Sequence, residues 1–252
     1  MRSLAPGTPV SSELWRDLEA AFGCLTVFRL SRERPDRERL ARAMLFFPVV
    51  GAAIGVVTAG CALALADVAS HTSLSIVSVL LMTALSGGLG LRGIRALARA
   101  LRPGAAEGRR LVSTAAVLTI LVGKITMLAA IAESLMGHAV LLAGVLGRWA
   151  PVVLAHGARP VKAAAGDALA VGRVGSREFA WASVLAMGAS LAAGEALGLL
   201  AVIAAALTAT GLRLWAYRDG RGMTAEWLAA AIDLVELAVL AALAASSALA
   251  AG

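Results

Sequence analysis

Residues 44–66 run for 23 positions without a charged side chain. A helix needs about 20 such residues to cross the hydrocarbon core of a bilayer. Further apolar segments follow at 74–91, 112–131, 139–156, 179–193, 196–215 and 227–250. Only 15% of the 252 residues are charged, against about 25% in a soluble domain. Mean hydropathy is +0.83. These values exclude an ordinary soluble enzyme and predict an all-α fold, a polytopic transmembrane helix bundle of six or seven spans. The two counts differ at residues 179–215, which are too long for one crossing and break most naturally near Gly194-Glu195.

Charge sets the expected orientation. The segments 1–43, 92–111, 157–178 and 213–226 hold 8, 6, 4 and 3 of the 23 Lys and Arg residues, and the alternate connections hold none. The positive-inside rule therefore puts the N-terminus and the basic loops in the cytoplasm, in a multi-pass protein of the cell inner membrane. Residues 1–43 are expected to form a cytoplasmic amphipathic helix and a charged linker, and 44–252 the transmembrane domain. In residues 12–30, Leu14, Leu18, Phe22, Leu25 and Phe28 recur at helical spacing, with Ser11 or Ser12 as cap. Such a helix suits the membrane interface, making the bilayer itself a partner. The pI near 10.9 follows from this topology, and nucleic-acid binding is not expected. Cys24 and Cys61 offer no metal or disulfide pattern. Gly51 and Gly55 form a GxxxG match, a pattern common by chance among 26 glycines.

Two features carry chemistry. First, Arg92, Arg95, Arg99 and Arg102 follow the second apolar segment, with no acid between Asp67 and Glu107. At 100° per residue they occupy a stripe roughly 80° wide. The plain reading is anchoring at a span end; the functional one is phosphate binding, which guanidinium does bidentately. Gly87, Gly88 and Gly90 permit a backbone break just before the stripe. Second, Lys124, Arg148, Asp233 and Glu236 are charges inside apolar segments. Each costs roughly 2.5–3.5 kcal/mol to place in lipid. They read either as buried ion pairs that fix helix packing or as a polar site for a metal or an anionic group. Asp233 and Glu236 share a helix face, with Glu226 two turns earlier. His71, His138 and His156 read as interfacial or turn residues. A transporter relay through Lys124, Arg148 and Asp233 lacks the inverted repeat such proteins show.

Several stretches resemble one family in matching order from about residue 20 to 245. They are Ala21-Phe-Gly-Cys-Leu-Thr-Val-Phe-Arg29, Phe46-Phe-Pro-Val-Val-Gly-Ala-Ala-Ile-Gly55, Thr83-Ala-Leu-Ser-Gly-Gly-Leu89, Lys124-Ile125, Arg148, and the run from Gly222 through Glu226 to Asp233 and Glu236. They resemble the cobalamin synthase family, the adenosylcobinamide-GDP ribazoletransferases. The resemblance implies joining of an activated corrinoid nucleotide to α-ribazole or its phosphate, with release of GMP, late in cobalamin biosynthesis. It implies Mg²⁺, held by Glu226 and Asp233, to neutralise the diphosphate. If the chain acts in this way, catalysis falls to Glu226, Asp233 and Glu236, and phosphate binding is expected of Arg92, Arg95, Arg99, Lys124 and Arg148. A homo-oligomer or association with other cobalamin-assembly proteins is compatible with it. The chain departs from the family where that family carries an acidic motif. The motif's three Asp positions correspond to Arg92, Ala96 and Arg99, and its His to Gly90. Arginine has no lone pair for a metal. The alternative is therefore a catalytically degenerate member that binds a phosphate-bearing ligand, a lipid or a membrane partner.

Overall fold

The computed structural model describes residues 10–28, 30, 35–101, 106–159, 173–218 and 222–251. Arg102, the last arginine of the stripe, lies outside them. The described chain is helical, without strands: α1 (Val10–Leu25), α2 (Arg37–Ala43), α3 (Phe47–Ala64), α4 (His71–Leu85), α5 (Leu89–Leu101), α6 (Ala106–Ala129), α7 (Met136–Ala155), α8 (Ser176–Ala193), α9 (Glu195–Arg218) and α10 (Ala225–Ala251). Five helical stretches, four of them α6, α7, α9 and α10 and the fifth α3 with α2, are long and apolar enough to cross a membrane. A sixth arises if α4 and α5 count as one broken span. The count among the described residues is thus five or six, against the six or seven expected. The chain does break at Gly194, but α8 is not among the helices that qualify by length and composition.

The core is built around α7, whose apolar window is 83% buried, against 28% in α6 and α9. Small residues let its neighbours approach. A Cβ on Gly51 of α3 would lie 2.9 Å from the Val145 Cα, and one on Gly55 would lie 2.8 Å from the Leu141 Cα. The GxxxG match, unremarkable in the sequence, is therefore the contact surface of α3 on α7, as close packing in lipid requires.

Two elements depart from expectation. Residues 74–91 do not make one straight span. The helix stops at Leu85, Gly87 and Gly88 take φ of 57° and 62°, and α5 leaves at 83° to α4. Consecutive left-handed residues end an α-helix, and glycine adopts them without steric cost. The N-terminal helix is shorter than 12–30 and starts earlier: Ser11 and Ser12 lie in its first turn instead of capping it, and it ends at Leu25. Beyond it the Thr26 hydroxyl donates to the Phe22 carbonyl (2.7 Å) and the Val27 N–H to Leu85 O (2.9 Å). Those bonds tie the segment after α1 to the end of α4. Of the expected stripe, Leu25 is buried while Leu14 and Phe28 are exposed. Arg42 of α2 pairs with buried Asp17 of α1 at 3.2 Å.

Candidate functional site

The four intramembrane charges meet in one buried cluster. The Lys124 ammonium on α6 donates to Asp233 Oδ1 and Glu236 Oε2 on α10. Arg148 on α7 donates through Nη1 to Glu236 Oε1 and through Nη2 to the Ser86 hydroxyl. All four charged residues are at least 94% buried. Asp233 and Glu236 lie three residues apart, so both point the same way from α10. Two cations face two carboxylates, which leaves the cluster neutral and lets a low-dielectric interior hold it.

Ser86 was not singled out by sequence reasoning. Its signal is positional: it is the last polar residue before the Gly87-Gly88 break, so the C-terminal end of α4 hands its hydroxyl to the cluster. That hydroxyl also donates to Met82 O at 2.7 Å. Arg148 Nε is buried with no hydrogen-bond partner. It is a free donor beside the two carboxylates. Close backbone approach fixes the cluster from two sides. A Cβ on Gly90 of α5 would lie 2.6 Å from Asp233 Cγ, and one on Gly147 of α7 would lie 2.6 Å from Glu236 Cγ.

The remaining expected site residues are elsewhere. Glu226 is exposed in the first turn of α10 and stands apart from the buried acids. Arg92, Arg95 and Arg99 are exposed on α5. The packed face of α5 carries Gly90, Gly93, Ile94 and Leu97. At 100° per residue the three arginines point about 180° away from that face. The expected single set of phosphate-binding residues is therefore two sets: Lys124 and Arg148 inside, the α5 arginines outside.

The donor set does not fit Mg²⁺ as it stands. Both oxygens of Glu236 and one of Asp233 are on cations, and Glu226 is not beside them. Among the described residues no group of three or more His, Cys, Asp or Glu is placed to hold a metal. Mg²⁺ demands near-octahedral oxygen ligation, which one free carboxylate oxygen does not supply.

A second polar patch closes the ends of α7 and α9. Arg213 Nη1 donates to the carbonyls of Val153 (3.3 Å) and His156 (2.9 Å), capping the last turn of α7. His156 stacks on Phe179 with ring centroids 4.6 Å apart, and its Nδ1 lies 3.1 Å from the Val174 carbonyl. The interfacial role expected of His156 is thus a packed one. His71 opens α4, and His138 is exposed in the first turn of α7.

The order of these pieces along the chain is shared by known proteins. Residues 17–244 match the family described as Cobalamin-5-phosphate synthase. A protein of Pseudomonas fluorescens strain Pf-5 named adenosylcobinamide-GDP ribazoletransferase is 35% identical over 82% of this chain and 89% of its own length. One of the same name from Pseudomonas fluorescens strain SBW25 is 33% identical over 83% of this chain and 91% of its own. A third of that name, from Desulforamulus reducens, is 24% identical over 68% and 73%. No solved structure matches the chain. The match covers every element that builds the buried cluster, from the Ser86 turn to Glu236, and the chain belongs to the cobalamin-5-phosphate synthase family.

Proposed function

We propose that the chain is an adenosylcobinamide-GDP ribazoletransferase, joining the activated corrinoid to α-ribazole or its phosphate and releasing GMP. One observation carries the reading: relatives of that name match it over more than four fifths of its length. The buried cluster suits the chemistry. A hydroxyl of the ribazole attacks the corrinoid-side phosphorus, the bond to the GMP oxygen breaks, and the hydroxyl proton must go to a base. Arg148 has a spare donor at Nε, aimed from a site that already holds carboxylates. A substrate phosphate oxygen replacing one carboxylate oxygen on Lys124 or Arg148 adds one negative charge to the cluster, which proton uptake by the displaced carboxylate then offsets. The carboxylate so released, on Asp233 or Glu236, is then free to accept the proton.

In this reading the N-terminus and the basic connections lie in the cytoplasm, where charged nucleotide substrates are found. The helices α8 and α9 form a hairpin that enters from that side and returns to it.

The test is genetic. A strain lacking its own cobalamin synthase, supplied with cobinamide, is expected to grow when this chain is expressed in its membranes. Failure to grow with the protein present at normal level would overturn the assignment. One observation favours a second reading, a member that binds the phosphate-bearing ligand without transfer. Arg92, Ala96 and Arg99 stand where the resemblance puts acids. In that case purified protein binds the corrinoid nucleotide but the strain does not grow.

A further inference from the structure

The outward face of α5 serves neither the buried cluster nor the packing of the bundle. Among the described residues, the side chains of Arg92, Arg95 and Arg99 make no hydrogen bond or ion pair. No acid stands between Asp67 and Glu107 to balance them. On either side of α5 in the chain, α4 and α6 expose apolar side chains: Leu80 before it, and Leu111, Leu118 and Val122 after it. Such apolar exposure on candidate membrane helices is expected toward lipid acyl chains. A purely cationic face thus stands next in sequence to two lipid-suited faces, at the basic side of the chain.

We infer that the arginine face of α5 binds the phosphate groups of anionic phospholipids. Guanidinium groups grip phosphate with two parallel N–H bonds. Basic residues beside membrane helices draw anionic lipids to the surface, each strengthening the attraction roughly fivefold. The shape of the face selects a lipid over a soluble anion. Among the described residues it is the open, convex side of a helix, with no wall to enclose a small ligand, whereas small molecules bind in concave sites that bury most of their surface. Lipid headgroups come already assembled as a surface and need no enclosure. The inference does not depend on catalysis, because this face points away from Asp233 and Glu236.

The test uses full-length protein in uncharged detergent, titrated with dioctanoyl phosphatidylglycerol and followed by calorimetry. Wild type is expected to bind this lipid and to ignore dioctanoyl phosphatidylcholine. The triple variant R92Q/R95Q/R99Q is expected to bind the anionic lipid on the order of 10–100-fold more weakly. Circular dichroism should show it folded, since all three side chains are exposed. A control triple with the same charge loss at scattered exposed sites, R16Q/R37Q/R177Q, should retain most of the binding. Equal affinity of wild type and the α5 triple overturns the inference. So does equal loss in both triples, which would mean diffuse net charge. Binding of GDP or inorganic phosphate that depends on the three arginines, with no lipid preference, overturns it in favour of a soluble anion. An acidic protein as the true occupant would show as indifference to both lipids in all three proteins.

Discussion

Arg148 stands at the centre of the candidate site, and its energetics follow from being buried beside Glu236. Taking away one partner of a buried pair strands the other charge, which costs about 3–5 kcal/mol. Arg148→Gln is therefore expected to lower the melting temperature in detergent by several degrees. Arg148→Gln with Glu236→Gln should recover much of the loss, because neither charge is then left alone. Failure of the double variant to recover stability would mean that the two side chains are not paired. Millimolar Mg²⁺ should leave the wild-type melting temperature unchanged, since the carboxylates are already held by cations. A clear rise would show a metal competing for them. Outside the membrane helices, Asp17 gives a pH prediction. Burial pushes its carboxyl above the usual 3.8, against the pull of Arg42, and its Oδ1 has no partner. A carboxyl whose folded pKa is raised holds its proton better when folded. Its contribution to stability is therefore lost as pH rises from about 3.8 through the raised value. Asp17→Asn should remove that loss, so the variant should melt no lower than wild type at pH 7 and show a flatter profile just above pH 4. A steeper profile would contradict the burial. Lys124, Arg148, Asp233 and Glu236 were legible in the sequence because a charge in an apolar segment demands a partner. Ser86 was not, since a serine after an apolar run has no such cost to announce it. The α5 arginines were legible as a stripe but not as an outward one, because their spacing defines a face without saying what the opposite face touches.

The bend between α4 and α5 determines which side of α5 meets the bundle, and glycines allow both the bend and the contact. A Cβ on Gly93 would lie 2.8 Å from the Ala229 Cβ and from Glu226 O, and one on Gly90 would press on the Asp233 carboxylate. Gly93→Ala is expected to cost about 1–3 kcal/mol through overpacking, more than the gain in helix propensity of up to ~1 kcal/mol. At Gly108, nothing lies within 4 Å of the place a methyl group would take, so Gly108→Ala should be neutral or slightly stabilising. Thermal melts of the two variants side by side read the difference, and equal behaviour would mean that α5 does not pack on α10 this closely. The break itself was foreseeable from Gly87 and Gly88, whose backbone freedom is a local property. The direction in which α5 leaves was not, because it depends on Gly93 finding the small residues Ala229 and Ala230, and Gly90 finding Asp233, on α10, far along the chain. The same holds for Gly51 and Gly55 on α3: only their partner, Gly144 on α7, gives the match a meaning.

The number of times the chain crosses the bilayer turns on α8. Its 18 residues give about 27 Å of helix at 1.5 Å per residue, a little short of a hydrocarbon core of about 30 Å. At Gly194 the chain reverses sharply: a Cβ on Gly198 of α9 would lie 2.7 Å from the Ser190 carbonyl carbon of α8, so the two helices pack together from the turn onward. Basic residues mark both ends of the hairpin, with Arg173 and Arg177 around the start of α8 and Arg213 and Arg218 in the last turns of α9. In the proposed orientation both ends of the hairpin lie on the same side, either by two full crossings or by one excursion that stops short of the far face. In either case α10 starts from the basic side and ends on the opposite one. Reporter fusions after residue 251 are accordingly expected to be active only outside the cytoplasm, and fusions in 160–172 and 219–221 only inside it. With Cys24 and Cys61 replaced by serine, a cysteine placed at Gly194 distinguishes the two forms of the hairpin: labelling by an impermeant maleimide added outside means that it crosses fully, and protection means that it stops within the bilayer. A fusion after residue 251 that reads as cytoplasmic would require α9 to cross without α8, and would put the basic residues around Arg173 and those around Arg213 on opposite faces of the membrane.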